Sequence, residues 1–135
     1  MNHGEVWLAD LGDPVTPEQG LRRPMLVVSE TRFNDLTGLA IICPITTTRR
    51  PYVTRIEIEP GISGLRETSY IQVEQIRTIS GRRRIHLLGE AGPVVLGQVK
   101  ETLRRLCGCP DTWTPAAPAL SGRATAARRE GGDWG

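Results

Sequence analysis

The sequence predicts a mainly β domain, a small barrel or strongly bent sheet, with one α-helix at its C-terminal end. Three observations predict it. Short apolar runs rich in β-branched residues recur between residues 4 and 89, each too short for an ordinary helix. One segment, residues 53–59, alternates apolar with polar. Only from Pro93 onward does the apolar spacing become helical.

Residues 4–10 mix alternation with Trp7 and read as a first strand, stopped by Gly12, Asp13 and Pro14. Residues 24–29 and 39–46 are the most apolar runs and predict two buried strands that pair with each other. The alternation of residues 53–59 predicts a half-exposed antiparallel strand, followed by the turn formers Pro60 and Gly61. Residues 69–73 give a further strand and residues 85–89 a short last one. Val95, Leu96, Val99, Leu103, Leu106 and Cys107 then fall on one helical face, with Pro93 suited to the first turn and Gly108 to the stop. Past residue 109, Pro110, Pro115, Pro118 and the terminal glycines interrupt an Ala-rich stretch. The expected organisation is therefore a domain over 1–109 and a flexible Pro/Ala/Gly-rich tail over 110–135. Its charges cancel, so it is not a polybasic arm; Trp113 and Trp134 read as stray aromatics.

Composition narrows the class. At 135 residues, 39% hydrophobic and 24% charged, the chain suits one soluble domain, and no apolar run is long enough to span a bilayer. The N-terminus lacks the pattern of a secretion signal, so a cytoplasmic location is expected. Cys43, Cys107 and Cys109 are odd in number and lack paired metal-ligand spacing, which predicts reduced thiols and no metal site, with Cys43 a packing residue. The net charge of +2 does not announce a nucleic-acid binder, but 16 of the 17 cations are Arg. Arginine matches phosphate geometry, and a high-GC genome enriches it equally.

Four stretches carry a resemblance. They are Gly4, Glu5, Val6 and Trp7 with Asp10 and Leu11; Glu18, Gln19 and Gly20 with Arg22, Arg23 and Pro24; Cys43, Pro44, Ile45 and Thr46 with Thr47 and Thr48; and Glu74, Gln75, Ile76, Arg77, Thr78 and Ile79. In that order and at those separations they resemble the MazF/PemK toxins over residues 4–106. The resemblance implies an SH3-like β-barrel of the CcdB/MazF type. It further implies the toxin of a type II toxin-antitoxin system, a homodimeric mRNA interferase that cuts single-stranded RNA without metal or cofactor. A small MazE-like antitoxin would neutralise it.

Residue by residue, the family's catalytic arginine before proline falls on Arg23 and its catalytic threonine on Thr46, with Gln19 and Gly20 in a loop lining the same site. Such residue types suit metal-free cleavage, in which the substrate's 2′-hydroxyl is the nucleophile. Arg23 would balance charge on the phosphate, and Thr46 would bind that phosphate or orient the attacking hydroxyl. Proton transfer needs another group, because arginine stays protonated and threonine is a poor base. Glu18 and Glu74 are the carboxylate candidates, provided a raised pKa fits them for it. In the plasmid-borne Kid/PemK branch an arginine and an aspartate stand at the places matching Gln72 and Glu74, and the missing arginine speaks against that branch's acid-base scheme here.

Thr47, Thr48, Arg49, Arg50, Tyr52, Arg77, Arg82 and Arg83 are candidate RNA contacts, the arginines for phosphates and Tyr52, with Phe33, for stacking. Plainer readings stand beside these. Residues 82–84 make a solvated turn, Glu74 and Arg77 a structural ion pair, His86 an ordinary strand histidine, and His3 a frayed end. The function alternative is a CcdB-like, non-enzymatic poison of DNA gyrase, against which Arg23 and Thr46 speak; a decayed toxin that only binds antitoxin is a third.

Overall fold

The computed structural model describes residues 1–12 and 22–110. The loop holding Glu18, Gln19 and Gly20, and the tail beyond Pro110, lie outside the described residues. Seven strands form one antiparallel sheet: β1 (Glu5–Asp10), β2 (Arg22–Val27), β3 (Leu39–Thr46), β4 (Arg55–Ile58), β5 (Ser69–Gln72), β6 (Arg77–Ser80) and β7 (Arg84–Glu90). Helix α1 (Thr31–Thr37) joins β2 to β3, and helix α2 (Pro93–Leu106) ends the described chain. The strand order is β4-β5-β3-β2-β1-β7, with β6 also on β3. The sheet bends but does not close, so the barrel is approximate.

The expected pairing of the two apolar runs is the β2–β3 ladder, which sets Leu26 against Cys43. These strands lack polar alternation because both their faces are covered. Val6, Leu26, Cys43 and Ile45 belong to a core with Ile58, Ile71, Val73 and Val99, onto which Val95, Leu96 and Leu103 of α2 pack. From the same strands, Ala9, Met25, Val27, Ala40 and Ile42 join Ile79 in a second cluster. Helix α2 begins with Pro93 in its first turn and is followed by Gly108 at φ 78°, as its sequence predicts.

Strand β3 divides one edge between two partners. Its first half pairs with β6, Leu39 against Ser80 through Ile42 against Arg77, and its end with β5, Ile45 against Ile71 and Thr46 against Tyr70. A 3-10 turn at Val73–Gln75 separates the two partners. A loop is also fixed against β7, where Glu90 N–H donates to Ile62 O at 2.9 Å. A Cβ on Gly89 would collide with that carbonyl oxygen, so close approach of backbone to backbone requires glycine there.

Four expectations need correction. The sequence pattern does not predict helix α1; it is polar, buries only Asn34 and ends on Gly38 at φ 74°. Strand β6 lies in a stretch where the pattern shows a motif but no strand, because Ile79 is its one buried residue. Strand β4 is shorter than its alternation suggests, and Val53 lies outside it at 92% exposure. His3 is not frayed: its N–H donates to Thr31 Oγ1 at 3.0 Å and its ring nitrogen lies 3.3 Å from Ser29 O.

Candidate active site

Arg23 and Thr46 stand at one end of adjacent strands. The β2–β3 ladder runs from Val27 against Ile42 to Met25 against Pro44, and Arg23 and Thr46 each lie two residues beyond its last pair. Side-chain alternation agrees, since Met25 and Val27 share a cluster with Ala40 and Ile42, and Arg23 and Thr46 continue those two parities. Both residues are half-exposed, and the Arg23 guanidinium has no ion-pair partner among the described residues.

The threonine arrives with its hydroxyl oriented. Thr48 N–H donates to Thr46 Oγ1 at 3.1 Å, a local turn that occupies one lone pair and leaves the hydroxyl proton available to another acceptor. Thr47, Thr48, Arg49, Arg50 and Tyr52 are all exposed beyond it. Tyr52 is already engaged by a cation, with the Arg55 guanidinium carbon 4.9 Å from its ring centre. Phe33 sits apart, on α1. Gln72 lies two residues beyond Tyr70, the partner of Thr46, and therefore shares its face; Gln72 Oε1 is buried without a hydrogen-bond partner among the described residues.

Glu74 is held in the 3-10 turn, where it accepts from Thr54 Oγ1 at 2.8 Å and from Arg55 Nε at 2.7 Å. Burial pushes its pKa up. The hydrogen bonds from Thr54, Arg55 and its own backbone, with the Arg55 charge, outweigh that and hold the carboxyl below its ordinary value. This is the opposite of the raised pKa that an acid-base role requires. The structural ion pair expected for it exists, but with Arg55 across the β4–β5 ladder. Arg77 is exposed on β6, opposite Ile42. Cys43 is a packing residue: burial, with the Glu74 charge adding, pushes its thiol up to about 12, so it stays protonated and unreactive.

Arg82 and Arg83 form the corner between β6 and β7. Arg83 Nη1 donates to Asp10 O at 3.3 Å, and Arg84 lies over Trp7 at 5.8 Å from the ring centre. With Asp10, Arg22, Ser80 and Ile85 these arginines line a cleft of about 460 Å³. The sequence alone assigns no role to Arg22 or Asp10, and reads Arg84 only as part of the basic turn. The signal that could have found them is the pairing of the motif residues Asp10 and Arg22, which become cross-strand neighbours in the β1–β2 ladder. His86 is an exposed strand residue. Among the described residues no cluster of His, Cys, Asp and Glu is arranged to hold a metal ion, and no helix is long and apolar enough to cross a membrane.

Comparison with known proteins bears on this geometry. Residues 2–107 match the family of PemK-like, MazF-like toxins of type II toxin-antitoxin systems. The chain is 32% identical over 106 residues to Endoribonuclease EndoA of Bacillus subtilis, covering 77% of this chain and 91% of that protein. It is 29% identical over 110 residues to Endoribonuclease MazF9 of Mycobacterium tuberculosis, covering 77% and 93%. A mycobacterial endoribonuclease solved in complex with its cognate antitoxin superposes with a TM-score of 0.69 at 27% identity, covering 84% of this chain and 99% of that one. These matches do not favour the gyrase-poison alternative. By sequence over most of its length and by fold, the chain belongs to the PemK-like, MazF-like toxins of type II toxin-antitoxin systems.

Proposed function

We propose that this chain is the toxin of a type II pair and a sequence-selective, metal-independent endoribonuclease that cuts single-stranded mRNA at a site built on Arg23 and Thr46. The observation that carries the site is the β2–β3 register. It ends two residues short of both Arg23, which has no ion-pair partner among the described residues, and Thr46, whose hydroxyl oxygen accepts from Thr48 N–H, and this supports a shared site at one end of the two strands. The 2′-oxygen of the substrate attacks the adjacent phosphorus and the P–O5′ bond breaks. The products are a 2′,3′-cyclic phosphate and a 5′-hydroxyl. Arg23 binds the non-bridging oxygens more strongly as their charge grows in the transition state, and Thr46 donates to the same group. One proton leaves the 2′-hydroxyl and one reaches O5′. Glu74, fixed as a low-pKa ion pair, serves as an anchor, and Glu18 is the remaining carboxylate for proton transfer.

Residues 1–109 make up the toxin domain and 110–135 an appended tail, and the protein acts in the cytoplasm. It works as a homodimer and is silenced by a MazE-like antitoxin. The mycobacterial relative with its cognate antitoxin supports that partner. So does the surface: edge strand β7 exposes Ile85 and Leu87 by 39% and 49%, and a groove of about 1050 Å³ runs between β4 and α2. Arg49, Arg50, Tyr52 and Arg77 contact the RNA around the cut.

The test is incubation of the purified protein with single-stranded RNA in EDTA, beside the same oligonucleotide carrying 2′-deoxy substitutions. Cleavage of the all-ribose strand alone, leaving cyclic phosphate ends, is the expected result. Cleavage of the deoxy strand, or gyrase inhibition without RNA cutting, would refute the reading.

A further inference from the structure

We propose that the cleft at the ends of β1 and β2 is a second anion site, which takes backbone phosphates of the RNA strand outside the bond being cut. The inference rests on the endoribonuclease reading and deepens it. The cleft holds about 460 Å³ and is lined by Asp10, Arg22, Ser80, Arg82, Arg83 and Arg84. The lining carries four arginines and one aspartate, a surplus of three positive charges, whereas the whole chain carries +2. The rest of the molecule is therefore slightly acidic in sum, and this cleft is a local concentration of positive charge that attracts a polyanion.

The four arginines are not equivalent. Arg83 is tied to the Asp10 carbonyl and Arg84 is laid over Trp7, so these two are fixed in place. Arg22 and Arg82 are exposed and have no ion-pair partner among the described residues. Ser80 Oγ accepts from Arg82 N–H at 3.2 Å, which leaves its hydroxyl proton to donate into the cleft. One phosphodiester carries a single charge and cannot balance a surplus of three. A strand that presents successive phosphates can.

Position points to the same ligand. Arg22 directly precedes Arg23 on β2, about 3.3 Å along the strand, so a nucleic-acid strand that reaches Arg23 passes close to the cleft. The cleft binds and positions the strand without touching the reacting atoms. Disabling it weakens binding and leaves the chemical step intact.

The experiment uses the full chain and a labelled, uncleavable 2′-O-methyl RNA oligonucleotide, with binding followed by anisotropy across a salt series. The Arg22→Ala/Arg82→Ala double variant is expected to bind about tenfold more weakly, with its salt slope reduced by about 0.7 for each phosphate it no longer neutralises. On cleavable RNA its KM rises by about the same factor while kcat holds within about twofold. The Arg22→Lys/Arg82→Lys variant restores the slope. An unchanged slope in a variant that melts like wild type overturns the proposal, as does a fall in kcat at constant KM. Weaker binding of an acidic antitoxin peptide, with RNA binding intact, overturns it in favour of a protein occupant. Should the wild type not cut RNA, the endoribonuclease reading fails, while the binding series still decides the cleft.

Discussion

Arg55 and Arg23 are the same residue in two environments. Arg55 has a side chain only 10% exposed, bonds Glu74 at 2.7 Å and lies over Tyr52. Arg23 is half-exposed and has no carboxylate partner among the described residues. A buried guanidinium needs a partner, and the partner cancels the charge that a phosphate would otherwise meet. The first arginine therefore holds β4 to the turn after β5. The second keeps its charge, because no described carboxylate neutralises it.

The largest effect that tests this contrast is on catalysis. Arg23→Ala or Thr46→Ala should lower kcat on RNA by about 10²–10³-fold, the scale of removing one transition-state donor, with an unchanged melting curve. An equal drop of kcat in folded Arg55→Ala would break the contrast. Next in size is stability. Glu74→Gln should cost about 1–3 kcal/mol in denaturant unfolding, the worth of charge-assisted hydrogen bonds, with kcat per folded molecule retained.

Acid gives a finer test. Because Glu74 is held below its ordinary carboxylate value in the fold, its contribution is present at neutral pH and above its unfolded pKa. That contribution is lost as pH falls through the folded value. Melting temperature followed from neutral into acid should fall less in Glu74→Gln than in wild type. An identical fall in both would assign the acid sensitivity elsewhere. The smallest effect is expected at Glu101, which pairs with Arg104 and Arg105 on the surface of α2. Glu101→Gln should leave the midpoint within the scatter of replicate melts, because exposed pairs on a helix contribute little.

Much of this architecture is legible in the residues, and the gaps have physical causes. Pairing of β2 with β3 is readable because both runs are apolar on two faces, and α2 because Pro93, the apolar stripe and Gly108 agree with one another. Helix α1 is opaque: it has seven residues and one buried side chain, Asn34, which donates to Met1 O at 2.8 Å, so it is held by polar tertiary contacts and not by a periodic face. Arg23 and Thr46 are accessible from motif order. The partner of Glu74 is not, because Arg55 lies 19 residues away at a polar position of an alternating strand. Only the β4–β5 register brings the two together. At Gln72 the sequence shows only that an arginine is missing, and its buried oxygen on the Thr46 face, unpartnered among the described residues, emerges only in three dimensions.

The divided edge of β3 also acts as a ruler. With β6 on its first half and β5 on its second, the spacing from Tyr70 to Arg77 is set by the strand both must match. One residue added to or removed from the 3-10 turn between them would slip a partner by one place and reverse which of its side chains face the core. Length variation among related toxins should therefore spare residues 70–77.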